Sequence, residues 1–143
     1  MKRTIIFILC LFMTIGLTGC GSKDEAVQNS NVETCNLSTY QKYAQPLMQE
    51  FSNIVKNLEI REETSRSKTK TELTALLTKI NNVKCRDKFP LKQETLVYSV
   101  KHMIDAIDYA DKGDYLSMNQ SIEKSLLNVE TFQDWTVDIL TNP

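Results

Sequence analysis

The stretch "LVYSVKHMIDAIDYADKGDY", residues 96–115, decides the fold. Leu96, Val100, Met103, Ile107 and Ala110 recur at spacings of 4, 3, 4 and 3. That rhythm keeps the five side chains on one side of an α-helix, where they need an apolar neighbour. The run ends at Asp111-Lys112-Gly113-Asp114. Gly113 can take the left-handed position that closes a helix, and Asp114 can cap the next one. A stop and a start within four residues predict two antiparallel helices joined by a tight turn.

Working outward, the same kind of pattern recurs on both sides. Pro90 suits the first turn of the helix that carries Leu96. Upstream, Leu73, Leu76, Leu77, Ile80 and Val83 share one face of a second helix, which ends in "NNVKCRDKF". Further upstream, Leu37, Tyr40, Ala44, Leu47, Phe51, Ile54 and Leu58 form a 3-4 stripe on a first helix. Ser38 and Gln41 predict a capping box at its start, and Pro46 predicts either a kink or the true first turn. The stripe lapses in "REETSRSKTKTE", whose Ser and Thr compete for backbone hydrogen bonds, so the turn is expected around residues 62–67. Downstream of Asp114, Met118, Ile122, Leu126, Val129, Phe132 and Leu140 predict a fourth helix, with Trp135 on its flank. Beyond residue 19 only Gly21 and Gly113 are glycines, and only Pro46 and Pro90 interrupt the interior. A sandwich or barrel needs far more turn formers than that. The expected fold is an all-α antiparallel up-down four-helix bundle over residues 37–143, behind a flexible N-terminal tether over 20–36.

The first 20 residues read differently. Lys2 and Arg3 precede a 15-residue run, Thr4 to Thr18, that carries no charge. A bilayer span needs about 20 apolar residues, so the run is short for one. A positive start, a short apolar run and small residues before a cut describe a secretory signal. The ending, Leu17-Thr18-Gly19-Cys20, resembles the lipobox of bacterial lipoproteins. That resemblance covers residues 1–20 alone. It implies cleavage between Gly19 and Cys20, acylation of Cys20, and a chain held by lipid on the extracytoplasmic face of a bacterial membrane. Two or more acyl chains make such an anchor stable without a transmembrane helix.

Removal of residues 1–19 would leave 15 basic and 18 acidic groups, which is not the balance of a nucleic-acid binder. The charge is divided along the chain. Residues 36–92 hold 11 basic and 6 acidic groups, whereas 93–143 hold 3 basic and 9 acidic groups. The plain expectation is that the two halves attract when packed. A basic face turned to anionic lipid or wall polymer is the functional alternative.

With Cys20 given to lipid and Cys10 lost with the signal, Cys35 and Cys85 remain. One precedes the first helix and the other follows the second, so an antiparallel hairpin brings them to the same end. An oxidising compartment then favours a disulfide over two free thiols. Catalytic chemistry finds little to work with. His102 is the sole histidine, and its carboxylate neighbour Asp105 reads as a solvated ion pair. Asp105, Asp108, Asp111 and Asp114 recur every three residues, which sweeps them around the helix instead of converging them on a cation. The aromatics Tyr40, Tyr43, Tyr98, Tyr109, Tyr115, Phe132 and Trp135 read as core or flank, with a ligand pocket as the alternative. Neither a metal site nor a cofactor is expected. The resulting expectation is a non-enzymatic lipoprotein acting as an interaction or structural module of the envelope, its partner an envelope protein. The alternative is a small-ligand or cation-binding sensor bundle at the cell surface.

Overall fold

The computed structural model describes residues 34–141, and side chains as far as residue 134. Residues 1–19, Cys20, the tether as far as residue 33, and the side chains of Trp135 and Leu140 lie outside that description. Four helices follow in order: α1 (Leu37–Lys56), α2 (Glu63–Asn81), α3 (Pro90–Asp111) and α4 (Tyr115–Thr141), with one 3-10 turn, Arg86–Lys88, before α3. No strand occurs among the described residues. The chain is the expected four-helix bundle. Its largest interface lies between α3 and α4, followed by α2 with α3 and α1 with α2.

The start of α1 departs from the expected capping box. Asn36, not Ser38, is the cap: its side-chain oxygen accepts from the Thr39 backbone N–H at 2.8 Å. The Thr39 hydroxyl then donates to the Thr34 carbonyl at 2.9 Å. Asparagine is among the best capping residues, and it lies two positions ahead of the serine. Pro46 neither starts α1 nor ends it. The helix runs through it from Leu37 to Lys56, with Pro46 on the exposed side.

The first interhelical turn also falls earlier than expected, at residues 57–62. The Ser- and Thr-rich run is helix. Thr71, Thr74 and Thr78 direct their hydroxyls to the carbonyls of Ser67, Lys70 and Thr74, four residues back, at 3.0, 2.8 and 3.3 Å. Bonded that way, the side chains follow the helix and do not break it. The turn is held from α2 itself. Arg66 donates to the Ile60 carbonyl at 3.0 Å, and the Ser65 hydroxyl accepts from the Glu59 N–H at 2.9 Å.

The row from Leu96 to Ala110 is buried throughout. Leu96, Val100 and Ile107 are fully enclosed, and Met103 and Ala110 nearly so. They pack with Tyr40, Ala44, Met48 and Phe51 of α1, Leu73, Leu76 and Ile80 of α2, and Val129 and Phe132 of α4. After α3, Gly113 has φ 72°, the left-handed closure expected, and the Asp114 carboxylate accepts from the Ser117 N–H at 3.1 Å. Hydrogen bonding from the side chain and the backbone N–H of Ser117 holds the Asp114 carboxyl below the usual carboxylate range.

The α3–α4 interface differs from the expected stripe. Met118, Ile122 and Leu126 are only half-buried, while Ser121 and Ser125 join Val129 and Phe132 in the interior. The buried residues of α3 include the small Thr95, Ser99, Ala106 and Ala110, and Ser99 meets Ser125 directly. Small residues on both helices let the backbones approach, and the larger side chains of α4 splay to the flanks. The seam is polar but satisfied. Ser125 donates to the Ser99 carbonyl at 2.7 Å, and Ser99 donates to the Thr95 carbonyl at 2.9 Å. Among the described residues no buried side-chain polar atom lacks a hydrogen-bond partner. Ser125→Leu should therefore overpack this seam and destabilise the bundle by about 1–3 kcal/mol. Ser125→Ala should cost no more than about 1 kcal/mol. Urea unfolding checks both, and equal midpoints for the two variants would show that α3 and α4 do not need small residues here.

Candidate functional site at the disulfide end

The start of α1, the end of α2 and the start of α3 meet at one end of the bundle, and a covalent bond fixes them there. Cys35 and Cys85 form a disulfide with their Cα atoms 5.3 Å apart. Cys85 takes a left-handed backbone, φ 67°, which turns the chain sharply from α2 into the 3-10 segment. Holding a non-glycine residue there costs on the order of 1 kcal/mol, well below what the cross-link returns.

Beneath the bond lies a buried polar knot. The Tyr40 hydroxyl donates to Gln93 Oε1 at 3.2 Å, and Gln93 Nε2 donates to the Ile80 carbonyl at 2.6 Å. Three helices thus share one chain of hydrogen bonds, with the Phe89 ring 5.3 Å from that of Tyr40. Burial holds the Tyr40 phenol well above the ordinary tyrosine range, so it stays a donor.

Over this knot the chain from Lys84 to Lys92 forms the outer surface. Lys84, Arg86 and Lys88 are exposed, and Lys92 is half-buried. Asp87 is the one acid among them and bonds Arg86 at 3.3 Å. Lys84 and Lys42 both lie 5.6 Å from the centre of the Tyr43 ring. Leu91 stands among these charges with 71% of its surface exposed. Beside it, Asn81, Arg86, Gln93, Glu94, Tyr98 and Lys101 border a shallow groove of about 350 Å³.

The other residues singled out in the sequence are spread over the bundle. Asp108 binds Lys70, and Asp111 binds Arg66, so two of the four aspartates join α3 to α2. The hydrogen bond to Asp108 raises the Lys70 ammonium above the usual lysine range. These two pairs are the charge division of the sequence made physical, basic α2 against acidic α3. Asp105 lies 3.6 Å from His102, whose ring stacks on Tyr98 with centroids 6.1 Å apart. Asp114 caps α4. Among the described residues, no group of three or more His, Cys, Asp or Glu is placed to hold a metal ion. Of the aromatics, Tyr40 and Phe132 are core, Tyr43 and Tyr109 half-buried, and Tyr98 and Tyr115 exposed.

Sequence reasoning missed Gln93 and the serine seam, because polar letters inside an apolar row carry no pattern of their own. It also left Leu116 and Leu127 on α4 unremarked, though they are 72% and 64% exposed. These features define a class, a disulfide-stapled four-helix bundle with a basic turn beside the staple. No family model matches the chain, nor does any curated protein or solved structure.

Proposed function

We propose that this protein is a lipid-anchored extracytoplasmic lipoprotein, attached through Cys20, whose bundle works without catalysis by contacting an envelope protein. The anchor reading rests on Lys2, Arg3, the uncharged run and the Leu17–Cys20 box. No described helix is long and apolar enough to cross a membrane. The contact reading rests on one observation, the outer face of α4. Leu116 and Leu127 lie 11 residues apart, so they sit within about 20° of each other and roughly 16 Å apart along the helix. Apolar side chains on one stripe of a helix are what seats an amphipathic helix in a partner's groove.

A photo-crosslinking residue at position 116 or 127, introduced in intact cells, tests the contact. The expected result is one discrete envelope-protein adduct from both positions and none from position 74 on α2. Absence of any adduct at both α4 positions would sink the interaction reading. The sensor alternative draws on the groove beside Tyr98 and Glu94. It is favoured instead if one metabolite or divalent ion raises the melting temperature by several degrees while α4 yields no adduct.

A further inference from the structure

Three bases of α2 find acids within the bundle: Arg66 and Lys70 are held by Asp111 and Asp108 of α3, and Lys79 by Glu50 of α1. The acids of α4 find no such match. From Tyr115 to Asp134 the helix carries Glu123, Glu130 and Asp134 against the single base Lys124, and all four are exposed. None of them forms an ion pair among the described residues. At about 100° per residue, Asp134 falls on the line through Leu116 and Leu127. Glu123 and Glu130 lie beside that line on one flank, within about 60° of it, and Lys124 stands on the other flank. The outer face of α4 is two exposed leucines in a net negative field.

We propose that this face selects a partner of opposite sign: a protein that receives α4 in an apolar groove, with Lys or Arg along the rim that meets Glu123 and Glu130. The inference rests on the contact reading for there being a partner, and adds the partner's chemistry. Any surface that covers Leu116 and Leu127, about 16 Å apart, also covers the carboxylates between and beside them. A carboxylate taken out of water without a cation or donor is costly, so a purely apolar groove would reject this helix. A rim of bases turns the same carboxylates into attraction and orients the helix, because Lys124 marks the opposite flank.

The other occupants fit less well. Antiparallel pairing of two copies, about a twofold axis between residues 121 and 122, would seat Leu116 on Leu127. It would also bring like flank to like flank, with Glu123 about 4.5 Å along the axis from its own counterpart. Parallel pairing would set Asp134 against Asp134. Like charges face each other in both arrangements, which selects against a second copy. An anionic lipid surface or wall polymer shares the sign of the face and is repelled by it.

The full-length protein with a photo-crosslinking residue at position 127, in intact cells, tests the proposal. Adduct yield is compared between the parent, E123Q with E130Q, E123K with E130K, and K124Q. The substituted positions are exposed and Gln is as good a helix former as Glu, so the melting curves of the Gln variants should match the parent's. Neutralising the two acids should cut the yield by about three- to tenfold, and reversing them should cut it further, whereas K124Q should not lower it. The segment joined to position 127 should carry Lys or Arg within a helical turn of the attachment point. Equal yields from the parent and both Glu variants would overturn the proposal and leave the contact reading standing. So would an attached segment without Lys or Arg, an equal fall in K124Q, or an adduct with a second copy of this chain. No adduct in the parent from either position 116 or 127 would defeat the contact reading itself, and the proposal with it.

Discussion

Reduction of the Cys35–Cys85 bond is expected to lower the melting temperature of the bundle by roughly 15 °C or more. The two cysteines are separated by 50 residues, and closing such a loop removes about 4 kcal/mol of chain entropy from the unfolded state. The bond spans α1 and α2 entire, so its loss frees the whole first half of the chain to explore. Total stability of a domain this size is only about 5–15 kcal/mol, so the change is a large share of it. Calorimetry with and without reductant measures the effect. Cys35→Ser with Cys85→Ser should reproduce it and leave reductant without further action. An unchanged melting temperature, with both thiols shown free, would mean that the unfolded chain is already confined and that the cross-link adds nothing.

The second large effect is expected at Tyr40. Its side chain is wholly enclosed and closes the hydrogen-bond chain through Gln93 to Ile80. Tyr40→Ala should cost about 3–5 kcal/mol, because the cavity adds to the lost transfer energy. Tyr40→Phe keeps the ring against Phe89 and removes only the donor, leaving Gln93 Oε1 to seek another. That change should cost about 1–2 kcal/mol. The pair of variants thus separates packing from hydrogen bonding at one site. A pH dependence follows as well. Burial raises the folded-state pKa of Tyr40 above its unfolded value, so the neutral phenol is favoured by folding. The stability it contributes is fully present below about pH 10 and is lost as pH rises beyond that, by up to about 1.4 kcal/mol per pH unit. Chemical unfolding from pH 8 to 11 should show a falling limb in the native protein and a flatter one in Tyr40→Phe. Identical limbs would place the alkaline sensitivity elsewhere.

Much of the architecture was legible in the residues because it rests on periodicity. The row from Leu96 to Ala110 could be buried in only one way, and Gly113 followed by Asp114 left no other place for the turn. The closeness of Cys35 and Cys85 followed from topology, since an antiparallel hairpin must bring its outer ends together; the bond itself also needed the expectation of an oxidising compartment. What escaped was local competition between similar signals. Asn36 and Ser38 can both cap a helix, and nothing in a string of letters ranks one above the other when the first fits. The Ser and Thr of residues 64–78 can break a helix or ride along it, and the choice depends on whether their hydroxyls turn to the carbonyl four residues back. Ser99 and Ser125 look like surface residues until two helices approach closely enough to need them. At the candidate site, the clustering of Lys84, Arg86 and Lys88 is plain in the sequence. Their position beside Cys35, at the end of the bundle where α1 begins, needed the disulfide.

The bond from Cys35 to Cys85 also sets how the protein carries force. A pull on the N-terminal segment enters at Cys35, two residues before α1 begins. From there the load crosses the covalent bond to Cys85 and passes into α3, and through the serine seam into α4. Helices α1 and α2 sit inside the closed loop and bear none of it. Were a partner held on Leu116 and Leu127, tension between it and the N-terminal segment would run along α3 and α4 only. Oxidation would turn half of the bundle from a link in the chain into a sheltered passenger.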